Sequence, residues 1–261
     1  EINMASVDPR RFGAYANKKY NADKGHEAYA KMYELLLPRE ERQAGRKARI
    51  TPMYDKLKAK GAVHTEAFGW ERPKWFSLDG RKEQYGFRHN NVFEVVAQEC
   101  RAVRESVGVL ELSSFSKYEV TGTDAEKFLN RVCANKMPAR DGRIVLAHLL
   151  TENGRIESEF TITRLSDNHF YMLSAAVSEL RDFDLLKHRI LQSENVTISN
   201  ITDNWGVLVL AGPRSREVLS KVTNTDLSNE HFRWLSAQTI EVAGIELRAL
   251  RINYVGELGW E

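Results

Sequence analysis

Residues 144–175 read Ile144-Val-Leu-Ala-His-Leu-Leu-Thr-Glu-Asn-Gly-Arg-Ile-Glu-Ser-Glu-Phe-Thr-Ile-Thr-Arg-Leu-Ser-Asp-Asn-His-Phe-Tyr-Met-Leu-Ser-Ala175. Ile144–Leu150 is an apolar run of strand length, shorter than an ordinary helix. Glu152-Asn-Gly154 follows, and Asn-Gly supplies the left-handed backbone that tight hairpin turns need. The return run, Arg155 to Thr163, alternates. Ile156, Phe160 and Ile162, with Ser158 between them, face one side, and Glu157, Glu159, Thr161 and Thr163 face the other. His169–Ala175 is a third strand. The spacing therefore predicts an antiparallel meander.

Working outward, a strand is expected within Val109–Thr121. Thr123-Asp-Ala-Glu126 reads as a capping box opening a helix with Ala125, Phe128, Leu129 and Val132 on its apolar side. A helix from Ser178 to Leu191 carries Leu180, Phe183, Leu186 and Ile190. Val196–Ile201 and Gly206–Ala211 read as strands, and Gly212-Pro213 starts a helix through Val218, Leu219 and Val222. Gln238–Val242 and Ile245–Ile252 form a hairpin around Ala243-Gly244. Upstream, Asn91 with Glu94 resembles another cap. Val92, Val96, Cys100, Val103 and Val107 then mark a helical stripe that Gly108 ends. The stretch from Phe68 to Phe76, dense in aromatics and broken by Gly69 and Pro73, reads as a structured loop. There is no regular βαβ alternation, so the expected fold class is α+β, with antiparallel sheets and packed helices.

Residues 1–61 differ in character: rich in Lys, Arg, Tyr and Ala, poor in Val and Ile. A helix is expected over Asp23–Leu37, because Tyr29, Met32, Tyr33 and Leu36 recur at i, i+3, i+4, i+7 and Pro38 ends the pattern. The charged stretch 38–49 reads as a solvated connector, with a short helix over Pro52–Lys60. The expected organisation is a mostly helical connector over 1–61 and a second domain over 62–261 that is truncated at its C-terminal end.

Composition narrows the function classes. The chain has 261 residues, 42% hydrophobic and 28% charged, with a net charge of +2. That near-neutral balance argues against a partner held by bulk charge, such as nucleic acid. Cys100 and Cys133 are too few for a disulfide framework, and both fit apolar helix faces, so buried free thiols are expected. No apolar run approaches the roughly 18 residues of a membrane helix. The start, Glu1-Ile-Asn-Met-Ala-Ser, reads as neither a signal nor a transit peptide, and the absence of an initial Met suggests a fragment. The sequons at Asn195 and Asn200 are read as chance.

Several kinds of chemistry are missing from the sequence. There is no GxGxxG after a strand, no phosphate-binding P-loop, no HExxH or spaced Cys/His cluster and no GxSxG. The seven histidines are scattered and read as surface or core residues. Two features remain. On the polar face of the 155–163 strand, Glu157 and Glu159 either meet solvent or line a cleft, where one could hold a cation or move a proton. At Asn253-Tyr-Val-Gly-Glu-Leu-Gly-Trp-Glu261, two glycines three apart either make a turn before another strand or bend the backbone to admit a flat ligand. A Glu beside such a ligand can accept two N–H bonds from a guanidine-like edge.

Taken in order, Gly69-Trp-Glu-Arg-Pro73, Arg104-Glu-Ser-Val-Gly-Val-Leu-Glu-Leu-Ser113, Glu152-Asn-Gly-Arg-Ile-Glu-Ser-Glu159, Leu210-Ala-Gly-Pro213 and Tyr254-Val-Gly-Glu-Leu-Gly-Trp-Glu261 resemble the folate-binding aminomethyltransferase family typified by the T-protein of glycine cleavage. The resemblance covers residues 62–261. Val7-Asp-Pro-Arg-Arg-Phe-Gly13 and Arg39-Glu-Glu-Arg-Gln-Ala-Gly45 resemble instead the connector of dimethylglycine and sarcosine dehydrogenases, which joins an FAD-dependent amine oxidase module to a folate module.

The resemblance implies a T-protein-like module that binds tetrahydrofolate. It also implies an FAD oxidoreductase module earlier in the same parent chain, acting on a small N-methyl amine and forming 5,10-methylenetetrahydrofolate. It carries the catalytic carboxylate onto Glu159 and the pterin contacts onto Tyr254 and Glu261. The residues themselves suggest no metal site, no nucleic-acid partner and no membrane helix, and the low cysteine count fits a bacterial cytoplasm or a mitochondrial matrix. Three positions depart from the T-protein pattern: Arg155 stands for the second turn glycine, Glu159 for Asp and Leu146 for Tyr. The extra methylene of Glu159 moves its carboxylate by about an ångström. Alternatives are a stand-alone aminomethyltransferase of the glycine cleavage type, or a structural domain whose folate pocket is degenerate.

Overall fold

The computed structural model describes residues 7–254 and 256–261. The first six residues of the expected connector and Val255 of the last motif lie outside the described residues. The chain forms two compact units. Residues 12–103 make one; residues 104–261, with the short N-terminal segment ending at Arg11, make the other.

In the 12–103 unit, helix α1 spans Lys18–Ala30, opened by Asn17, whose side chain accepts the Tyr20 N–H. The helix starts earlier and ends earlier than the apolar spacing predicts. Its apolar stripe has no surface to bury against, and packing of such a stripe supplies most of a helix's stability. Helix α2 is Tyr54–Ala59. Strands β1 (Ala62–Ala67) and β2 (Trp70–Phe76) pair antiparallel. The stretch expected as a loop is thus mostly strand. Phe68 (φ 55°) and Gly69 (φ 81°) make the turn, and Pro73, which cannot donate to a ladder, sits at the register irregularity opposite Val63 and His64.

Trp70, Trp75, Tyr54 and Val92 form a small buried set. Beside them the Glu71 carboxylate, 1% exposed, pairs with Arg46 at 2.5 Å and accepts the Lys47 N–H. Helix α3 is Phe93–Glu105. Asn91 does not cap it, because its amide is engaged by the Gln84 N–H and the Lys82 carbonyl. Cys100 is exposed, contrary to expectation, whereas Cys133 is buried and burial pushes its thiol up to about 12.

In the larger unit the expected single strand over 109–121 is two: β3 (Gly108–Glu111) and β4 (Ser116–Thr121), in different sheets. The corner between them is fixed by Lys117. Its buried ammonium donates to the carbonyls of Ser113 (2.7 Å), Phe115 (2.9 Å) and Thr202 (3.1 Å). Helix α4 is Ala125–Val132. The capping box does not form, since Asp124 accepts the Asn195 N–H and Thr123 the Asn195 amide.

The meander is present as β5 (Ile144–Leu150), β6 (Ile156–Ser166) and β7 (His169–Ser174). The turn glycine, Gly154, has φ 74°. Helix α5 (Glu179–His188), β8 (Thr197–Asn200), β9 (Leu208–Ala211), helix α6 (Ser215–Leu219), the hairpin β10 (Ala237–Val242) and β11 (Ile245–Leu250), and β12 (Gly259–Trp260) follow. The main sheet has the order β5-β6-β7-β4-β8 and the second β12-β9-β3, with every pairing antiparallel. The class is α+β, with 26% helix and 29% strand interleaved rather than alternating as βαβ.

One face of the main sheet carries Phe160, Ile162, Phe170 and Met172 against Phe128 and Leu129 of α4 and Leu186 of α5. The other face places Ile144, Tyr171 and Leu173 against Leu250 and Ile252. The alternation fails at one end of β6. A bulge shifts the register between Leu149 and Leu150, so that Leu150 opposes Ile156 and Leu149 opposes Ser158. Ile156, expected inside, is 67% exposed, and Glu157 becomes the extra residue of the bulge.

Candidate functional site

The bulge decides what each carboxylate of β6 meets. Glu157 is turned to Arg189 (2.8 Å) and Arg181 (3.5 Å), at and just beyond α5. Ser158 donates to Asp182 of α5 at 2.8 Å. Glu159, back in regular register, lies directly opposite His148 on β5, and its Oε2 sits 3.0 Å from the His148 Nε2. The two glutamates expected to share a face therefore engage different elements, and Glu159 is the one left open to solvent.

By strand alternation Glu159 and His148 stand on the sheet face that carries Ile144, Tyr171 and Leu173. Glu261 comes to the same face. Its backbone N–H and C=O pair with Leu250 at 2.8 and 2.7 Å, which sets its side chain beside that of Leu250 in the cluster holding Tyr171. Burial alone raises the Glu261 carboxyl to about 7. Tyr171 is also raised, first by burial and further by the charges of Glu261 and Glu119. Arg248, two residues before Leu250 on the same face, stacks over Tyr171 at 4.5 Å and over Trp205 at 5.3 Å from the ring centres. This is a plate of aromatic and guanidinium surface with a buried carboxyl on the same face. Such a surface suits a flat heterocycle that offers paired N–H donors.

The glycines of the last motif divide their work. Gly256 turns the chain with φ 80° and open space around it. Gly259 is needed for packing: a Cβ there would lie 2.3 Å from the Leu210 carbonyl oxygen, against which β12 closes. Tyr254 is at the turn and 94% exposed, so it stands apart from the buried Glu261. His148, Arg248 and Trp205 were not singled out by sequence reasoning. Only the pairing of β5 with β6 identifies His148, and Arg248 and Trp205 meet Tyr171 from distant segments. Among the described residues no cluster of His, Cys, Asp and Glu could hold a metal ion, and no helix is long and apolar enough to cross a membrane.

The antiparallel α+β unit is thus closed by the strand Gly259–Trp260, with the open Glu159 and the buried Glu261 on one sheet face. Residues 53–261 match the GCVT N-terminal domain, and the chain belongs to that family. Residues 1–51 match the FAD dependent oxidoreductase central domain. The mitochondrial dimethylglycine dehydrogenase of Mus musculus is 37% identical over 100% of this chain and 30% of its own length. The mitochondrial sarcosine dehydrogenase of Homo sapiens is 28% identical over 100% of this chain and 33% of its own. The chain thus spans about a third of these relatives. The glycine cleavage aminomethyltransferase T of Bartonella henselae has the same fold, with a TM-score of 0.66 and 21% identity, over 81% of this chain and 52% of that one.

Proposed function

We propose that this chain carries the tetrahydrofolate-binding, one-carbon-transferring part of an FAD-dependent N-methyl amine dehydrogenase, and that the product is 5,10-methylenetetrahydrofolate. Residues 1–61 act as the connector to the FAD oxidoreductase module of the same polypeptide and residues 62–261 as the folate module. The observation that carries the reading is Glu261. It is a carboxyl that burial raises to about 7, on the strand motif by which this chain resembles folate-binding aminomethyltransferases. A pterin's amino edge supplies the paired donors that this carboxyl lacks.

Glu261 anchors that edge, and Tyr254, exposed at the turn, is the second pterin contact that the family resemblance implies. Glu159, open to solvent and hydrogen-bonded to His148, accepts the proton released near folate N10 as the one-carbon unit is bound. FAD, bound in the oxidoreductase module, supplies the oxidation of the amine. The amine itself is selected in that module. The mitochondrial relatives and the low cysteine content support a matrix location, with a bacterial cytoplasm as the equivalent compartment.

Calorimetric titration with tetrahydrofolate tests the reading. Saturable binding is expected, weakened about tenfold or more by Glu261→Gln. In the complete enzyme Glu159→Gln is expected to lower methylene transfer by about a hundredfold while leaving binding intact. No folate binding by the unaltered protein would replace this reading with that of a structural domain.

A further inference from the structure

Helix α1 is polar for most of its length, and large apolar side chains cluster in its last turn and the residues that follow. Its polar side does the holding. Lys24 pairs with Glu66 of β1 at 2.9 Å, and the Glu27 carboxylate accepts the N–H groups of Gln43 and Ala44 at 2.9 and 2.7 Å. The large apolar side chains of its last turn and of the turns that follow face solvent. Tyr29 is 80% exposed, Tyr33 94% and Leu35 76%, with Met32 and Leu36 also exposed. Five large apolar side chains within eight residues is more than a settled surface ordinarily shows, and Tyr and Met are typical of interfaces. Four of them, Tyr29, Met32, Tyr33 and Leu36, carry the i, i+3, i+4, i+7 spacing that predicts a helix to Leu37, although the helix stops at Ala30.

We propose that the Tyr29–Leu36 stretch is the docking face for the FAD-dependent oxidoreductase module of the same polypeptide, and that docking continues α1 to Leu37. The proposal rests on the functional reading above only for the presence of that module. Two observations name the occupant. The stretch lies inside the segment matching the FAD dependent oxidoreductase central domain, so these side chains belong by sequence to that part of the relatives. And the relatives that this chain matches throughout are about three times its length, 30% of the dimethylglycine dehydrogenase being covered. A docked apolar surface supplies the burial the stripe lacks, and the periodicity then favours helix over the turns at 31–34.

The complete polypeptide is the sample for the test. Tyr33 is replaced by the photo-cross-linking residue p-benzoylphenylalanine and the linked peptides are identified. Cross-links to the oxidoreductase module are expected. Cross-links only to a second copy, only to residues 104–261, or to nothing would overturn the proposal. Hydrogen exchange supplies a second readout. Amides 31–37 are expected to exchange at least tenfold more slowly than in an unstructured peptide, and free-peptide rates would overturn it. The double variant Tyr33→Asp with Leu35→Asp changes only exposed side chains, and it should abolish that protection. Tetrahydrofolate binding measured on the same samples is expected to be unchanged by the variant. Its absence from the unaltered enzyme would count against the functional reading and leave the docking result standing.

Discussion

The two units are held together by different physics. The 104–261 unit has the economy of an ordinary core: Phe128, Phe160, Phe170, Met172 and Leu186 are fully buried between one sheet and its helices. The 12–103 unit has few fully buried apolar side chains, and its interior includes a carboxylate, Glu71, clasped by Arg46 and a backbone amide. Burial places the Arg46–Glu71 contact beyond most solvent screening, yet burying its charges costs desolvation energy, so it adds little net stability while being costly to break. A region built this way specifies geometry more than it stores energy, and it keeps apolar surface outside.

The largest expected effects test that contrast directly. Phe160→Ala should destabilise the larger unit by about 3–5 kcal/mol through the cavity it leaves. Glu71→Ala should cost the smaller unit about as much, because it strands the Arg46 guanidinium. The distinguishing measurement is a denaturant series on the further variant Arg46→Met with Glu71→Leu. The contrast predicts recovery of most of the lost stability once both charges are gone. A double variant as unstable as Glu71→Ala would mean that the clasp is a net source of energy.

A smaller effect belongs to the apolar unit's own buried acid. Burial raises the Asp182 carboxyl to about 6, partly offset by the Ser158 hydrogen bond. The folded state therefore holds a proton that the unfolded chain has lost above about pH 4. Stability from this group is present below that pH and is lost as pH rises to about 6, about 3 kcal/mol in all. Asp182→Asn should remove that slope and stabilise the protein at pH 8. Urea unfolding at pH 4.5 and 8 decides it, and an unchanged slope would place the acid in a wetter setting.

The smallest expected effect concerns binding. Glu261 is half ionised near pH 7, and only the carboxylate can accept both donors of a pterin edge. Tetrahydrofolate affinity is expected to rise about tenfold from pH 6 to pH 8, with proton release on binding. Glu261→Gln should flatten the dependence, as read by titration in buffers of different ionisation enthalpy.

Much of the larger unit is legible in the sequence, because its periodicity and its burial agree. Ile144–Leu150, the Asn-Gly turn and the Phe160/Ile162 alternation name the meander directly. The signal fails where non-local contacts override local pattern. Thr123 and Asp124 are drawn off by Asn195, and Pro73 is carried in a strand by an irregular register. The helix periodicity of 29–36 runs on where no surface rewards it. The site is legible only in part. The motif at 254–261 points to Glu261 and the turn to Glu159, but His148, Arg248 and Trp205 arrive through strand pairing and through chain segments far apart. No spacing in the sequence records those meetings.

Strand β12 gives the order in which this architecture can be completed during synthesis. Trp260 pairs with Leu210 and Glu261 with Leu250, so both partners leave the ribosome before the residues that join them. Until then the nascent chain presents β9 and β11 with edges that lack their final neighbour, a state open to mispairing. The Glu261 carboxyl arrives after both strands that flank it, so a translation product stopped short of Gly259 would lack this seam.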